Sequence, residues 1–153
     1  MRLQIIYPRW AKLHRQTEFH LPPHGPVVFA ACLPEDVAVD FVDENLEPIP
    51  FDPTLDLVCI SMMLTIQVRR GWEIAERYRA LGVPVICGGI ATMLHAEETG
   101  RHADAVFLGE AEGRMQGVLA DLAAGRLRPV YDYLDDPPPI ASVGPARREI
   151  LKR

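Results

Sequence analysis

The chain is predicted to fold as an α/β domain: a doubly wound, Rossmann-like or flavodoxin-like sheet of five parallel strands in the order 2-1-3-4-5, with helices on both faces. Three observations carry that expectation. Strand-like and helix-like stretches alternate along the sequence, which argues for parallel strands joined by right-handed crossovers. Two runs, Leu57-Val58-Cys59-Ile60 and Val83-Pro84-Val85-Ile86-Cys87, are apolar at every position or nearly so, as strands covered on both faces must be. The first ends at Ser61 and the second at Gly88-Gly89. In an open parallel sheet the carboxyl ends of the strands are where ligands bind.

Taken in order, strand one is Leu3-Gln4-Ile5-Ile6-Tyr7, stopped by Pro8. Residues Arg9 to Pro23 show no clean period and read as a loop over the carboxyl edge. Pro26 suits a first helical position and opens a short helix, Val27 to Leu33, that ends before Pro34. In strand two, Val37 to Val42, residues Val37, Val39 and Phe41 alternate with Ala38, Asp40 and Val42, the pattern of an edge strand. Asn45 to Pro53 is a proline-punctuated connection. Strand three, Leu57 to Met62, is central. Thr65 is placed as the N-cap of the next helix, whose stripe of Val68, Trp72, Ala75 and Tyr78 is joined by Ile74 and Leu81. Its charged residues, Arg69, Arg70, Glu73, Glu76, Arg77 and Arg79, are expected to face water.

Gly82 ends that helix in a left-handed conformation, and Val83 to Cys87 forms strand four. Glu97 to His102 is a short helix and Ala105 to Leu108 is strand five, ending at Gly109. The last helix, Gly113 to Ala124, buries Met115, Val118, Leu119 and Leu122 and is capped by Gly125. Beyond Tyr131 come Asp135-Asp136-Pro137-Pro138-Pro139 and a basic end. Residues 1–131 are therefore expected to form the domain, and 132–153 a Pro-rich linker toward a further, catalytic domain.

Composition narrows the function. The chain has 153 residues, 48% hydrophobic and 24% charged, with 16 basic and 21 acidic side chains giving a net charge of −5. Its basic residues are scattered, so nucleic acid is not an expected partner. Eight acidic and no basic residues lie between Glu35 and Asp56, which a solvated edge explains. No apolar run reaches membrane-spanning length and no signal peptide is evident, so a cytoplasmic location and no transmembrane segment are expected. Cys32, Cys59 and Cys87 lack metal-ligand spacing and are expected to be buried, reduced thiols. His95 and His102 are assigned no metal.

The ordered motifs resemble the N-terminal cobalamin-binding domain of radical S-adenosylmethionine enzymes. They are Phe41-Val42-Asp43-Glu44-Asn45, Asp56 to Ser61, Ile74-Ala75 through Arg79-Ala80-Leu81-Gly82-Val83-Pro84-Val85, and Gly88-Gly89-Ile90-Ala91-Thr92. Glu97-Glu98, His102 to Val106, Gly109-Glu110-Ala111-Glu112, Gly125-Arg126-Leu127 and Tyr131 complete the set. The resemblance implies that the corrin lies across the carboxyl ends of the strands. Its nucleotide tail would enter a groove beside strands three and four. Ser61 would hydrogen-bond the tail, Gly88 and Gly89 would leave it room, and the helix starting near Ile66 would aim N–H groups at its phosphate. The candidate cofactor-binding residues are Tyr7, Pro8, Arg9, Trp10, Ser61, Met62, Met63, Thr65, Gly88, Gly89, Ile90, Gly109 and Glu110. Each has a plainer role too. Ser61 could close a strand end, Trp10 could be a core or interface aromatic, Met62 and Met63 could be core fillers, and Glu110 could answer a helix dipole.

Two absences bear on mechanism. Cobalamin mutases and methionine synthase carry Asp-x-His-x-x-Gly after strand one, whose His ligates cobalt; here Lys12-Leu13-His14-Arg15-Gln16-Thr17 lacks the Asp and the Gly. His14 is either an unsupported axial ligand or a solvent-exposed residue. Radical chemistry needs a [4Fe–4S] cluster on a Cys-x-x-x-Cys-x-x-Cys loop, and the three cysteines are each more than twenty residues apart. The cluster and S-adenosylmethionine would then belong to a domain downstream, in cis. The competing expectation is a degenerate α/β docking domain that binds nothing. A flavodoxin fails for want of a hydroxyl-rich first loop. A receiver fails because strand three ends in Ser61, not Asp.

Overall fold

The computed structural model describes residues 1–11, 21–139 and 144–152. Its strands are β1 (Arg2–Tyr7), β2 (Ala38–Asp43), β3 (Leu57–Ser61), β4 (Val85–Gly88), β5 (Ala105–Leu108) and β6 (Val130–Asp132). Its helices are α1 (His24–Ala31), α2 (Val68–Ala80), α3 (Ile90–Leu94), α4 (Ala96–His102) and α5 (Met115–Ala123). The strands form one sheet in the order β2-β1-β3-β4-β5-β6, and every neighbouring pair is parallel. The doubly wound class and the order of the first five strands are as expected; the sheet has a sixth strand. Val130-Tyr131-Asp132 is too short to show a period of its own, and it pairs with Val106, Phe107 and Leu108 of β5.

The period-2 alternation of side chains divides the core in two. Leu3, Ile5 and Tyr7 of β1 and Leu57 and Cys59 of β3 meet α1 and α5 on one face, with Ala30, Met115, Val118 and Leu119. Ile6, Val58 and Ile60 meet α2 on the other, with Val68, Ile74, Ala75 and Tyr78. The one glutamine of β1, Gln4, is buried but satisfied: its amide donates to Asp40 at 2.8 Å, and its carbonyl accepts from the Tyr78 hydroxyl at 2.7 Å. Met62 is fully buried above Gly71 of α2, whose missing side chain lets that helix approach β3 closely.

Several element ends differ from expectation, each for a local reason. α1 starts at His24, so Pro26 is its third residue, still inside the first turn where no intrahelical N–H bond is lost. Thr65 is not a cap. It opens a 3₁₀ turn, Thr65–Gln67, and the acceptor for the exposed N–H groups is the Gln67 side chain. α3 was not expected at all; five residues carry too little periodicity to be read. Trp72 is only partly buried, stacked on His102 at 4.6 Å and donating its indole N–H to Thr99. Arg70 does not simply face water: its guanidinium grips Glu44 through Nε and Nη2 at 2.6–3.0 Å, and that carboxylate raises its pKa.

The segment expected to tether a following domain begins inside β6 and returns to the sheet. The Arg147 N–H donates to the Val27 carbonyl at 2.9 Å, Ile150 and Leu151 pack on the α1 side of the core, and Lys152 reaches Glu47 and Asp40. Among the described residues, no helix is long and apolar enough to cross a membrane. No group of His, Cys, Asp and Glu among them is arranged to hold a metal ion.

The three thiols are free. Burial pushes Cys87 up to about 12 and raises Cys59 as well, and burial likewise pushes the Tyr78 phenol up to about 12. A group whose folded pKa is raised stabilises the fold fully below its unfolded pKa and loses that contribution as pH climbs to the folded value. With unfolded values of 9.0 for the thiol and 10.0 for the phenol, stability should hold to pH 9 and fall steadily to pH 12. The slope approaches about 1.4 kcal/mol per pH unit for each group in its window. Urea midpoints measured across that range test this; a flat profile to pH 12 would contradict it.

Candidate functional site

β1, β3, β4 and β5 end at one edge, and α1 begins beside that edge and packs on one face of the sheet. The space left is a groove of about 380 Å³. Its floor is made of side chains pointing from the sheet toward the α1 layer: Ile5, Cys59, Ile86 and Phe107, all buried. One wall is α1, through His24, Gly25, Val28, Phe29 and Cys32; the other is the loop after β5, through Gly109, Glu110, Ala111 and Glu112. Ser61, Gly88 and Gly89 close the strand ends between them. An ideal Cβ on Gly25 would sit 3.7 Å from the Ser61 hydroxyl oxygen, so these two residues face each other across the opening.

The two glycines of the pair do different jobs. A Cβ on Gly88 would come no closer than 3.8 Å to Phe107, which is ordinary contact; that position is open toward the groove. Gly89 has φ of +95° and its Cβ would stand 2.5 Å from the Met62 carbonyl oxygen. Backbone geometry and close packing therefore require glycine at 89, while at 88 glycine keeps volume clear. Gly109 resembles Gly89: φ is +97°, and a Cβ would lie 2.8 Å from the Tyr133 carbonyl carbon in the chain leaving β6.

Of the thirteen residues proposed from sequence, Ser61, Gly88, Gly89, Gly109 and Glu110 line this groove. Met63, Thr65 and Ile90 do not line it; they are exposed and follow directly on the strand ends that do. With Leu64, Ile66, Met93 and Leu94, the two apolar residues Met63 and Ile90 supply half of the twelve exposed large hydrophobic residues described, gathered in two adjoining segments. Such a gathering is uncommon on a face turned only to solvent. Tyr7, Pro8 and Met62 are buried structure. Burial raises the Tyr7 phenol. The Pro8 carbonyl accepts from the Gln67 amide at 2.6 Å. Trp10 packs edge-on against Tyr7 at 5.6 Å, the aromatic role that sequence left open. Arg9 faces a separate polar cleft of about 500 Å³, where its backbone N–H donates to Glu44. His14 lies outside the described residues.

Just ahead of the helix start expected to serve a phosphate, two N–H groups are already engaged by Gln67. The Met63 and Leu64 N–H groups both donate to Gln67 Oε1 at 2.9 Å. The helix whose first turn does line the groove is α1, through His24 and Gly25, both missed by sequence reading. The available signal was Pro22-Pro23 ahead of His24-Gly25-Pro26: prolines fit only before or within a first helical turn. Cys32 also lines the groove, with its thiol pushed up to about 12 by burial and the carboxylates of Glu112 and Glu110. Near neutral pH it is a protonated thiol in the wall.

No family model matches the chain, and no solved structure matches it. Curated proteins do. The chain is 35% identical over 112 residues to the bacteriochlorophyllide d C-8(2)-methyltransferase of Chlorobaculum tepidum, covering 72% of this chain and 25% of that protein. It is 30% identical over 111 residues to the bacteriochlorophyllide d C-12(1)-methyltransferase of the same organism, covering 71% and 24%. It is 32% identical over 100 residues to the hopanoid C-2 methylase of Rhodopseudomonas palustris, covering 58% and 19%. The chain spans a quarter or less of the length of these relatives.

Proposed function

We propose that this chain is the cobalamin-binding module of a radical S-adenosylmethionine methyltransferase. The observation that supports it most is the apolar groove at the strand ends, held open by Gly88 and Gly25 and bordered by an exposed apolar surface. Three relatives named as methyltransferases or methylases, each several times longer than their match, agree with a module of a larger enzyme. The [4Fe–4S] cluster, S-adenosylmethionine and substrate would belong to a catalytic domain working in cis.

The residues present fit the group. The buried floor of Ile5, Cys59, Ile86 and Phe107 suits the flat aromatic end of a nucleotide tail. Ser61 offers one hydroxyl there, and among the described residues it has no hydrogen-bond partner. The free N–H groups of the first turn of α1, at His24 and Gly25, suit the tail's phosphate, with Glu110 and Glu112 on the opposite wall. Met63 and Ile90 offer an apolar seat for the corrin face outside the groove. When bound, cobalamin supplies a cobalt centre able to carry a methyl group. The chain's own residues bind and orient it and shield one side from water.

Purification in hydroxocobalamin tests this. Visible corrin absorption should be retained at close to one equivalent, and be lost in Gly88→Trp while the far-ultraviolet dichroism stays native. A colourless protein with no calorimetric signal for any cobalamin form would overturn it. That result would favour a docking module, for which the surface of Met63, Leu64, Ile66, Ile90, Met93 and Leu94 is the specific observation.

A further inference from the structure

We propose that the groove selects corrinoids by the base on their nucleotide tail, accepting a benzimidazole and rejecting a purine. This rests on the cobalamin reading above and goes beyond it, because it names which member of the class the site takes. The reason is the distribution of polar atoms. The buried floor, formed by Ile5, Cys59, Ile86 and Phe107, offers only the weak donor and acceptor of one thiol. Val28 and Phe29 extend the same apolar lining along α1.

The two glycine carbonyls at the end of β4 already accept hydrogen bonds. The Gly88 carbonyl accepts from both the Met62 N–H and the Thr92 hydroxyl at 2.9 Å, which uses its two lone pairs. The Gly89 carbonyl accepts from the Met93 N–H. Ser61 remains, and its one hydroxyl suits the imidazole ring nitrogen that benzimidazoles and purines share, so it does not tell them apart. The ionisable residues, His24, Glu110 and Glu112, stand on the more exposed walls and not on the floor.

A benzimidazole turns a hydrocarbon edge to such a floor. A purine turns ring nitrogens and, in adenine, an exocyclic amine. On that floor those groups would leave water with no partner in place of it, because the carboxylates of Glu110 and Glu112 and the first turn of α1 belong to the walls; sites of this kind translate such a loss into discrimination.

Calorimetry on the whole chain with three probes tests the proposal: cobalamin, its adenine-based counterpart, and cobinamide, which lacks the nucleotide tail. Cobalamin should bind about tenfold to a hundredfold more tightly than the adenine form, the range expected for a buried group left unpaired. Cobinamide should also be weak. Val28→Asn, which adds an amide to the α1 wall, should narrow the gap by favouring the adenine form, with the fold checked by dichroism. Equal affinity for the two complete corrinoids, with cobinamide weak, would overturn base selection and leave the cobalamin reading standing. Cobinamide binding as tightly as cobalamin would place the tail outside the groove and overturn the proposal, again with corrinoid binding intact. No binding of any probe would overturn both.

Discussion

Alanine at position 89 should cost the fold about 2–4 kcal/mol, the sum expected for a left-handed non-glycine residue and a backbone overlap that no rotamer relieves. The residue has φ of +95°, and its Cβ would lie 2.5 Å from the Met62 carbonyl oxygen and 3.0 Å from its carbon. That carbonyl is held in place, because it accepts the Ala91 N–H at 3.0 Å at the start of α3. The strain therefore passes into β3 and α3 together. Gly88→Ala, one residue earlier, should change stability by about 0.5 kcal/mol or less, since its Cβ meets only ordinary contacts at 3.8 Å. Urea unfolding of the two variants gives the comparison. Equal midpoints would show that the pair acts as one flexible turn.

Gln67→Leu is expected to be nearly as damaging. Gln67 is fully buried and joins two loops. Its carbonyl accepts from Met63 and Leu64, and its amide donates to the Pro8 carbonyl at 2.6 Å. Leucine fills the volume but strands two N–H groups and a carbonyl. At about 1 kcal/mol or more for each group left without a partner, the loss is about 2–4 kcal/mol. Gln67→Glu separates the roles: it keeps the two acceptor bonds and turns the third contact into repulsion with the Pro8 carbonyl. Thermal unfolding should rank wild type above Gln67→Glu and Gln67→Glu above Gln67→Leu. A Gln67→Leu midpoint matching wild type would show that water replaces all three bonds.

The architecture was legible because burial writes a strong pattern. β3 is covered on both faces, so its residues are apolar without interruption, and α2 carries a clear stripe from Val68 to Tyr78 closed by Gly82 at φ of +78°. β6 left no such mark, being three residues long with only Tyr131 buried. The site was half legible. Ser61 and Gly88 announce themselves as small residues at the ends of apolar strands. His24 and Gly25 do so less directly: the prolines around them mark where α1 can start, but not that its first turn meets the groove. Arg9 and Trp10 stand apart from the groove for a different reason. Position after strand one puts them near the sheet edge, but Glu44 and Tyr7 draw them away from the groove. Gln67 was passed over because a glutamine in a helical turn ordinarily faces water, and nothing in its neighbours signals that it will reach back to Pro8.

The treatment of the two outer strands has a consequence for life at high concentration. A sheet whose margins are long, flat and bare invites copies of itself to stack into fibrils. Here one margin, β2, lies under the returning segment, where Lys152 reaches Asp40 and the 3₁₀ turn Arg148–Ile150 sits against the strand. The other margin is only three residues long and runs on toward Pro137-Pro138-Pro139, which cannot extend a ladder of hydrogen bonds. One side is partly occupied and the other is short, so each is a weaker template for a second chain than a long bare strand.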